Sequence, residues 1–241
     1  NRSRKTRRYR VVPYFEIVLA ALTRDSRGRL ETEVDPSGSA IFFRNPENQF
    51  HRGQMFVAWS LAGDAHETLR SRFLGGGGRD LTNPWFVESG ESDPSSPDDG
   101  VRIAAFSGYL EIAAGSEAEI AVVIGQTETL DEAKHLIAHY TDAGAAEHAL
   151  QETKDWWQRT LSVLRVETNV PEFDRLVNDW LPYQLLTARL WGRTGPNQRS
   201  GGYGYRDQLQ DVIPLAGLHP ALARKQILLN ASQQFLRGAV L

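Results

Sequence analysis

The chain has no cysteine and one methionine in 241 residues. Without thiols it holds no disulfide framework, no thiolate zinc site and no cysteine nucleophile, and a reducing compartment fits that composition. Long apolar runs are missing as well. Stretches such as Ile17 to Leu22 fall far short of the roughly 20 residues that cross a bilayer. The opening "NRSRKTRRYR" has no apolar core of the kind a signal peptide needs. Nor does one sign of charge dominate: 27 basic and 30 acidic residues leave a formal charge of -3, which supplies no general field for nucleic acid or membrane. The basic opening therefore reads as a solvated strand edge in preference to a nucleic-acid arm.

What is present is enough apolar material for a core, 41% of the chain, arranged with two different periods. From about residue 8 to 124, runs such as "AIFFR", "QMFVAWSL", "VRIAAFSGYLEI" and "AEIAVVIG" alternate with Gly, Pro, Asn, Asp and Ser clusters. Short strands at that spacing predict a β-sandwich. Within this half, "ESGESDPSSPDDG" (88–100) is an acidic surface excursion with too little apolar area to order strongly.

After Gly125 the period becomes helical. Leu130, Ala133, Ile137 and Tyr140 recur at three and four residues, and residues 145–164 form a second helical stretch carrying Trp156 and Trp157. A longer stretch opens at Pro171, with Phe173, Leu176, Val177, Trp180, Tyr183, Leu186 and Leu190 predicted to share a broad buried face that Pro182 must bend or divide. A glycine-rich loop follows. Helices are then predicted over 205–218 and again from Pro220.

Three constellations invite chemistry. The run Gly75 to Gly78 lacks the Lys-Ser/Thr of a phosphate loop and, with the turn chemistry of "RDLTNP" after it, reads as a flexible hairpin or loop. His135 and His139 have i, i+4 spacing, yet "LIA" lies between them without the Glu of a zinc-protease motif, and no third ligand is evident. The stretch "SGGYGYRDQLQD" (200–211) is richer. Its glycines let a ligand approach the backbone, Tyr203 and Tyr205 offer flat faces and hydroxyls, and Arg206, Asp207, Gln210 and Asp211 supply planar hydrogen-bonding groups at a helix start. A sugar presents the matching surface, with C–H faces for rings and hydroxyls for carboxylate, guanidinium and amide. An Arg/Asp cluster that caps the helix and pairs internally fits the same spacing. Asp207 and Asp211, one turn apart, also suggest a two-carboxylate hydrolase, but nothing in the sequence marks either as a proton donor.

"FDRLVNDWLPYQLLTARLWGRTG", "SGGYGYRDQLQD" and "HPALARKQILLNASQQF" together resemble glycoside hydrolase family 94, the glycoside phosphorylases that include cellobiose and chitobiose phosphorylases. They look most like its branch in cyclic β-1,2-glucan synthases and 1,2-β-oligoglucan phosphorylases. "VVPYFEIVLA", "FLGGGGRDLTNP" and "EIAVVIGQTETLDEAKHLIAHY" extend the resemblance over almost the whole chain. It implies a multidomain β-plus-α fold: residues 1–125 as the C-terminal part of a large β-sandwich, 126–168 as a helical linker, and 169–241 as the first helices of an (α/α)6 barrel.

The resemblance also implies an inverting glycosyltransferase or phosphorylase that cleaves a β-glucoside with inorganic phosphate as co-substrate and no other cofactor or metal. Asp207, with Arg206 beside it, would bind hydroxyls of the sugar on the non-reducing side, and Gln210, Asp211, Tyr205 and Tyr203 would complete the same wall. Where the disaccharide phosphorylases carry an extra arginine this chain has Gly201, and Arg199 does not align with it, which favours the β-1,2-glucan branch. The family's general-acid Asp and phosphate ligands are expected beyond Leu241. No catalytic residue is therefore assigned, and the chain alone is expected to be inactive. The implied partners are a β-glucan oligosaccharide, phosphate and the remainder of a parent polypeptide, with no nucleic acid and with a homodimer among the assemblies to test. The implied location is cytoplasmic, either in solution or as the cytosolic part of an inner-membrane synthase. A noncatalytic carbohydrate-binding module and a glycoside hydrolase fragment are the rival readings.

Overall fold

The computed structural model describes residues 1–48, 52–61, 63–192 and 205–240. They form two compact units, residues 1–149 and 150–241. The division falls within one helix, Ala145–Leu161.

The strands described all lie in the first unit: β1 (Arg7–Val11), β2 (Tyr14–Glu16), β3 (Glu31–Val34), β4 (Ala40–Arg44), β5 (Gln54–Trp59), β6 (Ala65–Leu69), β7 (Arg102–Ile112) and β8 (Val122–Thr127). Their pairing is antiparallel throughout. β1 and β2 pair with successive parts of β7, and β6 pairs along its opposite edge. The second sheet runs β3-β4-β5-β8. The helices here are α1 (Thr23–Ser26), α2 (Arg70–Leu74), α3 (Trp85–Ser89), α4 (Leu130–Tyr140) and the start of α5 (Ala145–Leu161).

Strand alternation sorts the side chains into layers. Ile41 and Phe43 of β4 and Val57 and Trp59 of β5 meet Ala104 and Phe106 of β7 in the core between the sheets. Ala40, Phe42, Phe56 and Ala58 point the other way, beneath Ala133, Leu136 and Ile137 of α4. On the far side, Ile103 and Ala105 of β7 pack against Phe73 and Leu74 of α2 and Phe86 of α3. The order is helix, sheet, sheet, helix. "AIFF" is apolar without alternation because both of its faces are covered.

α4 starts with a capping box: the Thr129 hydroxyl accepts from the Glu132 N–H, and the Glu132 carboxylate accepts from the Thr129 N–H, each at 3.2 Å. It is the outer layer over β4 and β5.

The acidic stretch 88–100 is ordered, contrary to expectation, and polar bonds do the work that apolar burial does elsewhere. Asp93 accepts from the N–H groups of Gly76 and Ser95 and from the hydroxyls of Ser95 and Ser96. Asp98 pairs with Arg102 at 2.9 Å and accepts from the Gly100 N–H. Aspartates are suited to this because their short side chains reach backbone amides two residues on. The glycine run closes the same loop. Gly75 has φ +82, and a Cβ there would sit 2.6 Å from that of Trp85, so only glycine lets α2 approach α3 this closely.

The second unit holds the rest of α5, then α6 (Pro171–Arg175), a π-helical turn (Leu176–Trp180), α7 (Leu181–Gln184), a second π-helical turn (Leu185–Trp191), α8 (Tyr205–Val212), α9 (Leu215–Leu218) and α10 (Pro220–Ser232). Residues 171–191 stay helical across Pro182, which changes the register instead of ending the run. The Leu181 N–H reaches back five residues to the Leu176 carbonyl. A widened turn relieves the clash between a proline ring and the carbonyl four residues earlier.

The register change overturns the predicted buried face. Leu186 is buried, but Phe173, Leu176, Trp180 and Tyr183 are exposed, and Asn178 is buried in their place. Each residue added to a turn rotates the following side chains by about 100°. A stripe drawn at 3.6 residues per turn therefore does not survive two wide turns.

Leu186, Val212, Leu215 and Ala223 form the core of this unit, with Trp157, Leu185, Leu190 and Leu222 packed around it. Asn178 clasps the backbone of Val166, accepting from its N–H and donating to its carbonyl, each at 2.8 Å. The helix expected over 205–218 is divided at Pro214, which has no N–H with which to continue α8. Among the described residues, no helix is long and apolar enough to cross a membrane.

Candidate functional site

α8 carries most of the residues singled out above, and its burial pattern separates those that hold the helix from those that face outward. Gln208, Val212 and Leu215 lie buried at positions i, i+4 and i+7, the stripe that docks α8 and the turn after it. Arg206 and Gln210 occupy the exposed stripe, while Asp207, Asp211 and Tyr205 are half-buried. Tyr203 and the glycine-rich loop from residue 193 lie outside the described residues.

Arg206 and Asp207 meet directly. The guanidinium donates to Asp207 Oδ1 at 3.0 and 3.2 Å, with the Arg206 side chain 83% exposed and that of Asp207 38%. A pair this open is worth about 0–1 kcal/mol after solvent screening. The fold does not depend on it, and a polar ligand that offers hydroxyls to both groups displaces little. Asp211 has one carboxylate oxygen, Oδ2, shut off from solvent.

Beneath this outward face runs a buried amide network that sequence reasoning missed. Asn230 of α10 donates to the Tyr205 carbonyl at 2.9 Å. Gln226 donates to Asn230 Oδ1 at 2.8 Å and to Gln208 Oε1 at 3.4 Å. Gln208 and Asn230 are fully enclosed. The available signal was the apolar spacing of Val212 and Leu215 behind Gln208, which places that amide on the buried stripe. Satisfied buried amides fix a helix in one position, so the start of α8 is held from below while the Arg206 guanidinium stands in solvent.

The other candidates come out differently. His135 and His139 are exposed on α4 and line, with Asp142 and His148, a depression of about 600 Å³. Among the described residues no group of three or more His, Asp or Glu is placed to hold a metal ion. In the second unit, Trp156, Trp157 and Trp191 form a cluster with ring centroids 4.9 to 5.8 Å apart. Tyr183 packs on Trp157 at 4.9 Å.

The comparisons likewise find a sandwich domain followed by a second domain, and they define the class as a glycosyl hydrolase family. Residues 1–143 match the family model "Glycosyl hydrolase 94, supersandwich domain", and residues 156–241 match "Glycosyl hydrolase 94 superfamily, catalytic domain". The chain belongs to the glycosyl hydrolase 94 family. It is 32% identical over its whole length to the cyclic beta-(1,2)-glucan synthase NdvB of Rhizobium meliloti (strain 1021), of which it covers 8%. It is 28% identical over 78% of its length to the N,N'-diacetylchitobiose phosphorylase of Vibrio proteolyticus, covering 23% of that protein. The 3-O-beta-D-glucopyranosyl-beta-D-glucuronide phosphorylase of Paenibacillus borealis is 26% identical over 74% of the chain, which covers 22% of it. The chain thus spans less than a quarter of each of these three relatives.

Proposed function

We propose that this chain is part of an inverting β-glucoside phosphorylase-type domain acting on β-1,2-glucan, either to release glucose 1-phosphate or to adjust chain length within a cyclic β-1,2-glucan synthase. In this reading residues 1–125 are sandwich, 126–168 linker and 169–241 the opening helices of an (α/α)6 barrel. The observation that carries it is the exposed Arg206–Asp207 pair on a helix start fixed from below by Asn230 and Gln226. The 32% identity with the synthase, which extends over the whole of this chain, supports the linkage.

The division of labour follows from the chemistry. Phosphate brings its own charge and its own oxygen nucleophile, so a phosphorolytic cleavage needs one protein acid to protonate the leaving oxygen and no second carboxylate to activate water. Asp207, whose side chain already accepts from a guanidinium, suits hydroxyl binding. Tyr205, Gln210, Asp211 and Tyr203 are proposed to line the same subsite. The proton donor and phosphate ligands are assigned to other parts of the parent polypeptide, which acts in the cytoplasm, in solution or at the inner face of a membrane.

The test is to incubate the full-length protein containing this chain with β-1,2-oligoglucan, with and without inorganic phosphate. Phosphate-dependent release of α-glucose 1-phosphate is expected. Free glucose formed regardless of phosphate would replace this reading with a hydrolase, and binding without turnover would replace it with a carbohydrate-binding module.

A further inference from the structure

The helical unit carries a second depression, of about 600 Å³, none of whose lining residues lies on α8. Leu176 lines it, Trp180 and Tyr183 bring two rings, and Glu172, Arg175 and Asp179 set two carboxylates and a guanidinium around them. The rings lie 6.2 Å apart with 29° between their planes. Both are open to solvent, Trp180 by 55% and Tyr183 by 38%.

The site is also held in place. Trp157 backs the Tyr183 ring at 4.9 Å and is itself packed against the core of the unit. The wide turn Leu176–Trp180 rotates Trp180 away from the core. Wide turns of this kind occur frequently at functional sites.

Flat faces beside planar hydrogen-bonding groups suit a pyranose, which places its C–H faces on rings and its hydroxyls on carboxylate and guanidinium. An apolar helix or a second apolar surface would strip water from Glu172, Arg175 and Asp179 and return no hydrogen bonds. The volume lies within the roughly 300–1,000 Å³ typical of small-ligand sites. We propose that this depression is an accessory glucan-binding site that takes pyranose units of a β-linked glucan apart from the α8 site. The identity of the sugar rests on the function proposed above, so the experiment separates the two.

Calorimetry and tryptophan fluorescence on the full-length protein containing this chain, with a short β-1,2-linked glucooligosaccharide, are expected to resolve two classes of site. Trp180→Ala and, independently, Arg175→Ala should weaken one class by about tenfold, the size of one lost ring or charge-assisted contact. Asp207→Ala should weaken the other. Because Trp180 and Arg175 are exposed, thermal melts of these variants should match the parent. If Asp207→Ala removes all binding and the Trp180 and Arg175 variants remove none, the accessory site falls while the α8 reading stands. If the Trp180 and Arg175 variants remove all binding and Asp207→Ala removes none, the accessory site stands and the α8 reading falls. No saturable binding, or a dimer that Trp180→Ala converts to monomer in light scattering, would overturn the proposal, the latter in favour of a second copy of the chain.

Discussion

The side-chain amide of Asn230, fully enclosed, donates to the backbone carbonyl of Tyr205 at 2.9 Å and so ties α10 to the first residue of α8. Truncation removes this bond together with the one that Asn230 accepts from Gln226, and empties an enclosed position. Asn230→Ala is expected to lose about 1–3 kcal/mol of stability, read as a lower urea midpoint. An unchanged midpoint would show that the network does not hold the helix.

Asp207→Ala should behave in the opposite way. Its partner Arg206 is open to solvent, so stability should change by no more than about 1 kcal/mol while oligoglucan affinity in calorimetry falls. Lost stability with affinity intact would make the pair a structural one.

Gly125 lies on β8 opposite Phe56. A Cβ there would come within 2.4 Å of the ring, and Phe56 is buried in the layer beneath α4. Gly125→Ala should cost about 1–3 kcal/mol through overpacking, seen as a lower melting temperature. Adding Phe56→Leu should restore part of that loss.

Asp93 carries a pH signature. The Ser95 hydroxyl first, then the Gly76 and Ser95 N–H groups and the Ser96 hydroxyl, hold its carboxyl well below the ordinary value of 3.8. A carboxyl depressed in the folded state stabilises fully above its unfolded pKa and loses that contribution as pH falls through the folded value. Asp93→Asn should therefore speed hydrogen exchange at the Gly76 amide near neutral pH. The difference from the parent should narrow as pH falls below the ordinary value of 3.8 toward the lowered folded one. A difference independent of pH would assign the ordering of the loop to something other than this carboxylate.

Much of the fold was legible because local rules and global packing agree. "AIFF" reads as a strand because its residues are β-formers, and Leu130, Ala133, Ile137 and Tyr140 mark a helix that the structure opens with the Thr129–Glu132 capping box. The stretch 200–211 stood out as a site candidate because glycines, aromatics and charges rarely crowd together without reason. What was illegible depended on register or on partners far away in sequence. The face of 171–191 could not be drawn because Pro182 is relieved by widened turns whose position only the packed helix selects. Gln208 looked like one more polar residue beside Asp207 until Gln226, 18 residues on, reached it across the unit.

By itself the sequence determined the change from β to helical period, the strands and caps, and the residue types gathered at the start of α8, because each follows from backbone preference within a few positions. Only the tertiary structure decided which of those residues anchor and which face outward. That choice also set the order of the acidic loop and the exposure of Trp180 and Tyr183. Burial is a property of what the rest of the chain covers, and hydrogen bonds such as Asn230 to Tyr205 exist only once distant segments have met.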